Sequence, residues 1–198
     1  MRKVCLLVLA LSAAAHAAPW VEMRTTEGTI LLELNENEAP KTVANFLQYV
    51  KDDYYAGTIF HRVIKGFMIQ GGGYDSDYAK RPTRGPIANE AQNGLKNLRG
   101  TIAMARTQDP HSATSQFFIN QVDNHFLNAG GTDNYGYTVF GQVVEGMEVV
   151  DKIANTATVA AGPFAQDVPT KPIVIESVSI IEQLNAEEAS AADSSKTP

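Results

Sequence analysis

Residues 60–72 read Phe-His-Arg-Val-Ile-Lys-Gly-Phe-Met-Ile-Gln-Gly-Gly, and this stretch decides the fold. It contains two runs of β-forming residues joined by Lys65-Gly66, which predicts a β-hairpin. Successive side chains of a strand point to opposite faces of the sheet, so each face of a hairpin carries side chains from both strands. The residues that this hairpin would bring onto one surface are Arg62, Phe67, Met68 and Gln70. The stretch therefore predicts an apolar surface that carries a single fixed cation.

The chain as a whole contains many short β-like runs and few helical ones. The predicted strands are residues 21–25, 29–34, 58–64, 67–70, 101–105, 117–120, 138–144 and 173–181. Many short strands with few helices are typical of a β-sandwich or a closed barrel. Helices are predicted from Pro40 onward and over residues 146–154, because apolar residues recur there at helical spacing. We expect these two helices to cover the ends of the sheet.

Two further local predictions concern the first helix and the segment after the hairpin. The helix is predicted to have one apolar face, made of Val43, Ala44, Phe46, Leu47 and Val50. Residues 71–97 are rich in Gly, Pro, Asn and charge, which predicts a long irregular loop. The three glycines at its start, residues 71–73, lack the Walker and dinucleotide patterns, so we interpret them as a permissive turn.

The two ends of the chain differ from the middle. Arg2 and Lys3 precede an apolar run over residues 4–11, and small residues follow up to Ala18. This pattern predicts a signal peptide over residues 1–17, cleaved near Ala17 or Ala18. The apolar run is shorter than the roughly 20 residues that span a bilayer. Residues 185–198 contain no large apolar side chain and predict a disordered tail. We expect one domain between them, over residues 18–184.

The composition is that of an ordinary soluble domain, with 44% hydrophobic and 19% charged residues. The formal net charge is −6, and removal of Arg2 and Lys3, in a segment without Asp or Glu, makes it −8. Binding to nucleic acid depends on clustered Lys and Arg, and the chain has no such cluster. We therefore expect neither a nucleic-acid nor a membrane partner. The chain gives no sign of an obligate interface, so we expect a monomer.

Residues 60–72 closely resemble the signature of the cyclophilins, a family of peptidyl-prolyl cis/trans isomerases. The resemblance extends to three further segments, residues 104–106, 115–119 and 139–147, in the family's order and approximate spacing. It implies a mainly β fold, a closed antiparallel eight-stranded β-barrel capped by two α-helices. It also implies isomerase activity on X-Pro bonds, without metal or cofactor. Residues 126 and 137 match bacterial periplasmic cyclophilins, which implies a periplasmic location.

The resemblance also implies which residues form the site. It gives catalytic roles to Arg62 and Gln70. It gives substrate-binding roles to Phe67, Met68, Ala105, Arg106, Gln116, Phe118, Phe126, Leu127 and Tyr137. Rotation about an X-Pro bond breaks amide resonance, with a barrier of about 18–20 kcal/mol, and makes or breaks no bond. In the twisted transition state the proline nitrogen is a better hydrogen-bond acceptor, so a fixed donor stabilises that state selectively. Arg62 is permanently charged and is the candidate donor.

Three positions depart from the pattern of other family members. Arg106 stands where many eukaryotic members carry asparagine, and we expect it to add positive charge near the peptide groove. Phe126 stands where cyclosporin-sensitive members usually carry tryptophan; because it lacks the indole N–H, we expect weak cyclosporin binding with activity kept. Tyr137 stands at the family's active-site histidine, and we expect it at the rim of the site, where it packs and forms hydrogen bonds.

Other chemistries are disfavoured. A hydrolase would recruit Asp109, His111 and Ser112 or Ser115, but no nucleophile elbow is present and these residues lie too close in sequence. The histidines 61, 111 and 125 lack the spacing of metal ligands. His61 is predicted to be structural and bonded to the backbone, because bond rotation transfers no proton. The serious alternative is a non-catalytic proline-peptide binding module or holdase. In either case the expected partners are proline-containing polypeptides, unfolded or newly exported.

Overall fold

The computed structural model describes residues 18–181, so the predicted signal peptide, the predicted tail and the predicted domain end at Leu184 lie outside the described residues. The elements within that range are β1 (Trp20–Thr25), β2 (Gly28–Leu34), α1 (Pro40–Lys51), β3 (Thr58–Ile64), β4 (Met68–Asp75), β5 (Thr101–Met104), β6 (Phe117–Asn120), β7 (Val139–Glu145), α2 (Met147–Ala154), β8 (Thr158–Ala161), β9 (Phe164–Pro169) and β10 (Val174–Ile181). A short 3₁₀ turn covers His125–Leu127.

Eight of these strands form a closed barrel in the order β1-β10-β3-β4-β6-β5-β7-β2. Every neighbouring pair is antiparallel. The predicted barrel with two capping helices is therefore confirmed. The strands β8 and β9 form a separate hairpin that contacts β3. No sequence pattern had predicted this hairpin, because its side chains are mostly exposed and show no clear apolar alternation.

The barrel interior is filled by the inward-facing residues of each strand, as expected for a small barrel. In β1, the buried residues Val21, Met23 and Thr25 alternate with Glu22 and Arg24, which are not buried. The same alternation in the other strands sends one set of side chains into the barrel. The opposite set on β4, β5, β6 and β7 forms a second, smaller apolar cluster, which contains Met68, Ala103, Phe118 and Val139. This outer cluster is the floor of the site described below.

Helix α1 begins at Pro40, whose fixed φ suits a first helical turn. Its N-terminal N–H groups have no capping side chain at Ala39 and are satisfied from a distant loop. The Glu90 carboxylate accepts the backbone N–H groups of Lys41 and Thr42 at 3.1 and 2.9 Å. A carboxylate at this end also suits the helix dipole. Glu90 thus fastens the helix to the long segment before β5.

The buried face of α1 differs from the predicted one. It consists of Thr42, Val43, Phe46, Tyr49 and Val50. The prediction that Ala44 belongs to this face is wrong, because Ala44 is exposed and Leu47 is only half-buried. The helix is rotated so that Tyr49 packs on its neighbours, with its ring centroid 4.6 Å from that of Tyr54. Aromatic packing thus sets the rotation that spacing alone did not predict.

The prediction that residues 71–73 form a turn is also wrong. These glycines lie inside β4, buried between β3 and β6. A Cβ at Gly73 would lie 2.5 Å from Cγ of Gln116, and one at Gly72 would lie 2.8 Å from the Phe117 ring. Glycine is therefore needed at these positions because neighbouring side chains approach the backbone closely, as is common for a glycine inside a strand. The irregular part of the predicted loop starts after Asp75.

Helix α2 closes the other end of the barrel. It follows Gly146, whose φ is 91° and where a Cβ would lie 2.4 Å from the Thr29 carbonyl oxygen. Glycine is required at this position for both its conformation and its space. Val150 and Ile153 are fully buried against the barrel. No helix within residues 18–181 is both long and apolar enough to cross a membrane.

Candidate active site

A cavity of about 110 Å³ lies on the outside of the barrel, over the outer apolar cluster. Its lining residues are Arg62, Phe67, Met68, Gln70, Ala105, Arg106, Phe118, Leu127 and Tyr137. The strand pairings explain the assembly, because Arg62 is opposite Gln70 and Gln70 is opposite Phe118 across β3, β4 and β6. Nine of the eleven predicted site residues therefore meet in one cavity.

The floor of the cavity is apolar and well buried. Met68 and Phe118 are almost fully buried, and the Phe118 ring meets Tyr137 edge-on at a centroid distance of 5.7 Å. Tyr137 thus lies at the rim, where it was predicted. Its role in substrate binding stays a prediction. The cavity is a slot suited to one small apolar ring.

The two remaining predicted residues lie beside the cavity. Gln116 lines an adjoining cavity of about 300 Å³, which also contains Lys80 and Thr83. Phe126 is half exposed and stacks on Phe67 at a centroid distance of 5.6 Å. Phe126 therefore extends the apolar rim outward. The expected weakness of cyclosporin binding stays a prediction.

Arg62 is the cationic residue of β3 that lines the cavity, and a chain of polar contacts links its guanidinium to Gln70 and Gln116. Nη1 of Arg62 donates a long hydrogen bond of 3.4 Å to Oε1 of Gln70. Nε2 of Gln70 in turn donates to Oε1 of Gln116 at 3.0 Å. The Arg62 side chain is 44% exposed, so its guanidinium stays accessible to a peptide. The Gln70 amide is held at both ends and limits the orientations open to Arg62.

Arg106 lines the cavity, as expected from the sequence, but its positive charge is paired. Its side chain is only 3% exposed and forms an ion pair with Asp133. Its nitrogens donate to the carbonyl oxygens of Gly136 at 3.1 Å and Thr107 at 2.9 Å. Cζ lies 4.4 Å from the centroid of the Tyr137 ring. The guanidinium is thus neutralised and holds residues 133–137 against the site, which fixes Tyr137.

The charge state of Asp133 fits this role. Desolvation alone would raise the pKa of its carboxyl, but hydrogen bonds from the Gly136 N–H and the Arg106 guanidinium outweigh it and lower that pKa. The carboxylate therefore stays ionised across the neutral range.

A buried network of asparagines, which the sequence analysis missed, fixes two walls of the cavity. Nδ2 of Asn97 donates to the Leu127 carbonyl oxygen at 3.2 Å, and Nδ2 of Asn124 donates to that of Phe67 at 3.0 Å. Asn120 joins them, since it donates to Oδ1 of Asn97 and accepts from Asn124. All three side chains are buried. Asparagine is so common in turns that nothing in the sequence marked these three as partners.

His61 lies in β3 next to Arg62 but does not line the cavity. Its ring is 3% exposed and lies between Tyr74 and Phe164, at centroid distances of 4.7 and 5.2 Å. Nδ1 is buried without a hydrogen-bond partner, and the polar groups beside the ring are the Ile59 backbone and the Gln116 side chain. Burial lowers the pKa of His61 to about 4. The neutral, buried ring packs between its neighbours and does not line the cavity, so it is not placed to exchange a proton with a substrate.

The His61 pKa predicts an acid-sensitive stability. The unfolded chain protonates this group near pH 6.5 and the folded chain only near pH 4. Between these values the unfolded chain binds more protons, so stability falls as the pH falls. We expect the wild type to lose about 2 to 3 kcal/mol between about pH 7 and about pH 4.5 through this group. His61→Phe keeps a stacked ring without the titration and should lack this loss in urea unfolding; an equal loss in both proteins would contradict the assignment.

The disfavoured chemistries find no support in the geometry. His111 accepts a hydrogen bond from the Asn89 N–H at Nδ1, and the Ser112 hydroxyl donates to the Asp109 carbonyl oxygen. No hydrogen bond joins His111 to Ser112 within the described residues. Over residues 18–181, no three His, Cys, Asp or Glu side chains cluster in a way that would hold a metal ion.

The barrel thus carries on its outside an apolar slot with one accessible guanidinium at its edge. The family model of the "Cyclophilin type peptidyl-prolyl cis-trans isomerase/CLD" matches residues 20–180. The chain belongs to the cyclophilin family and is a peptidyl-prolyl cis/trans isomerase.

Curated relatives carry the same activity in their names. Peptidyl-prolyl cis-trans isomerase A of Dickeya dadantii is 55% identical over 170 residues, which are 86% of this chain and 88% of that protein. Peptidyl-prolyl cis-trans isomerase B of Escherichia coli is 55% identical over 164 residues, 82% of this chain and 99% of that protein.

Solved structures share the fold. A cyclophilin-type isomerase of Cryptosporidium parvum has a TM-score of 0.69 at 29% identity, over 84% of this chain and 99% of that one. The same protein was also solved in the presence of the dipeptide Ala-Pro, with a TM-score of 0.67 at 29% identity, over 83% of this chain and 99% of that one.

Proposed function

We propose that this isomerase acts on unfolded, newly exported polypeptides and assists their folding, with Arg62 as the donor that lowers the barrier to rotation. The observation that carries the proposal is the accessible guanidinium of Arg62, oriented by Gln70 above an apolar slot. The slot fits the proline ring and the guanidinium lies at its edge. The other charged side chain that lines the slot, Arg106, is buried and paired with Asp133.

Substrate binding would use the floor and one backbone edge. The proline ring packs on Met68, Phe118 and Leu127, and a fixed ring lets the preceding carbonyl rotate. The N–H of Ala105 already donates to the Gln116 carbonyl oxygen at 3.0 Å. The Ala105 carbonyl is therefore the group that can pair with an extended peptide, as in recognition by addition of a strand.

The rate enhancement would come from the difference between ground and transition states. When the amide twists, the proline nitrogen loses conjugation and its lone pair becomes an acceptor for an Arg62 N–H. A charge-assisted hydrogen bond formed mainly in that state contributes about 3 to 4 kcal/mol. A preorganised donor needs little rearrangement when the amide twists. The hydrogen bond to Gln70 supplies this preorganisation of Arg62. Since the guanidinium keeps its charge, activity should not follow any group that titrates near neutral pH.

The export part of the proposal rests on the sequence of residues 1–17. Their charged start, short apolar run and small residues before Ala18 suit cleavage and release into the periplasm. Edman sequencing of protein recovered from a periplasmic fraction should begin at Ala18 or Pro19. A chain that retains Met1 in the cytoplasmic fraction would contradict export.

The folding role is tested with a secreted protein whose refolding is limited by a cis X-Pro bond. Uncatalysed, that phase takes tens of seconds at 25 °C. Substoichiometric amounts of the isomerase should shorten the phase, and Arg62→Ala should largely abolish the effect. Suppressed aggregation with an unchanged slow phase would instead identify a holdase, the function expected if the groove only captures chains.

A further inference from the structure

The β8–β9 hairpin is anchored directly beside Arg62. Its Phe164 stacks on His61, with an interplanar angle of 29°, and meets Tyr74 edge-on at a centroid distance of 4.9 Å. Val168 of the same hairpin is buried. Because His61 immediately precedes Arg62 in β3, the hairpin is fastened to the strand that carries the proposed donor. Phe164 and Val168 lie on either side of Asp167 along β9.

Asp167 brings a carboxylate to the guanidinium. Its Oδ2 lies 3.9 Å from Nε of Arg62, and its side chain is 20% exposed. The distance is that of an ion pair and is too long for a hydrogen bond. Nε2 of Gln166 donates to the same oxygen at 3.1 Å. The backbone at Asp167 has a φ of 68°, a left-handed conformation that non-glycine residues adopt only where the surrounding structure holds it.

The guanidinium is thus contacted at two of its three nitrogens. Nε faces Asp167 and Nη1 donates to Gln70. No residue between 18 and 181 accepts a hydrogen bond from Nη2. An arginine with free rotamers has many orientations, and two contacts at different nitrogens select among them. The nitrogen without a partner is then the one directed to a bound peptide.

We propose that Asp167 is a positioning residue for the isomerase, which acts with Gln70 to orient the Arg62 guanidinium toward the prolyl amide. The proposal rests on the proposed role of Arg62 as donor. Asp167 acts only through Arg62 and does not line the slot. The β8–β9 hairpin is therefore part of the catalytic machinery and more than a surface appendage.

Asp167→Asn tests the proposal, because asparagine tolerates a positive φ and keeps the shape while it removes the charge. We expect kcat to fall about two- to fivefold, the range of an exposed ion pair, with KM unchanged. Asp77→Asn is the matched control, since Asp77 is exposed and forms no ion pair within the described residues. The control should keep wild-type kcat. Melting temperatures of both variants show whether the fold is intact.

Two further readouts separate positioning from structure. In the Arg62→Ala background, Asp167→Asn should cause no additional loss, because its effect passes through Arg62. The ratio of wild-type to Asp167→Asn activity should also approach one as ionic strength rises from about 0.02 M to about 0.5 M, since salt screens the pair. Wild-type kcat in Asp167→Asn, or an equal loss in the Arg62→Ala background, would overturn the proposal. Retained activity in Arg62→Ala itself would instead overturn the proposed function of Arg62.

Discussion

Replacing Arg62 with alanine is expected to lower kcat/KM for X-Pro isomerisation by about two to three orders of magnitude. The variant loses the one guanidinium that is both accessible and directed over the slot. Its fold should be retained, because the side chain is 44% exposed and its contacts are limited to Gln70 and a distant pairing with Asp167. A peptide-coupled isomerisation assay measures the loss, and the melting temperature checks the fold.

Arg62→Lys is the matched control for charge. Lysine keeps the positive charge but lacks the planar set of donors that Gln70 and Asp167 orient. We expect it to remain at least about tenfold below the wild type. Wild-type activity in Arg62→Lys would mean that a positive charge suffices and that the orientation of the donor does not matter.

Replacing Phe46 with alanine is expected to destabilise the fold by about 3 to 5 kcal/mol. Phe46 is fully buried where α1 covers the barrel. Its ring lies 5.1, 5.9 and 5.2 Å from those of Tyr55, Phe117 and Phe140, between centroids. No single neighbour can fill the space that the ring would leave. Urea unfolding measures the change in the free energy of unfolding.

The control for Phe46→Ala is the same substitution at an exposed ring. Phe126 is half exposed and contacts mainly Phe67, so Phe126→Ala should cost no more than about 1 kcal/mol. A loss below about 1 kcal/mol in Phe46→Ala would contradict the close packing of helix and barrel. The floor of the slot lies on the opposite side of the strands from this core, so the folded fraction of Phe46→Ala should keep its activity.

The sequence allowed the barrel and most of the slot to be predicted, because those features depend on local patterns. Alternation and turn residues in residues 60–72 define a hairpin, and the pairing of that hairpin places Arg62 beside Gln70. Helix α1 was predicted from Pro40 and from the spacing of its apolar residues. The rotation of the helix about its axis was not predicted correctly. Its rotation depends on aromatic neighbours such as Tyr54, which a one-helix pattern does not include.

What could not be predicted depends on contacts between residues far apart in the sequence. The sequence indicates that Arg106 brings a positive charge, but its pairing with Asp133 and its contact with Tyr137 depend on residues about 30 positions away. The glycines of β4 were predicted to form a turn, because the sequence does not show that the side chains of Gln116 and Phe117 occupy the space beside them. No sequence pattern indicated a role for Asp167, because its ion pair with Arg62 depends on the contact between β9 and β3.

The role of Arg62 is tested most directly by measuring bond rotation and peptide binding separately. Exchange NMR on a short Ala-Pro-Phe peptide gives the rate of cis/trans interconversion, and the chemical shifts of the same titration give the dissociation constant. For Arg62→Ala we expect exchange about two to three orders of magnitude slower than with the wild type, and a dissociation constant within a few-fold of the wild-type value. Exchange that stays as fast as in the wild type would contradict the assignment of Arg62 as the donor that stabilises the twisted amide.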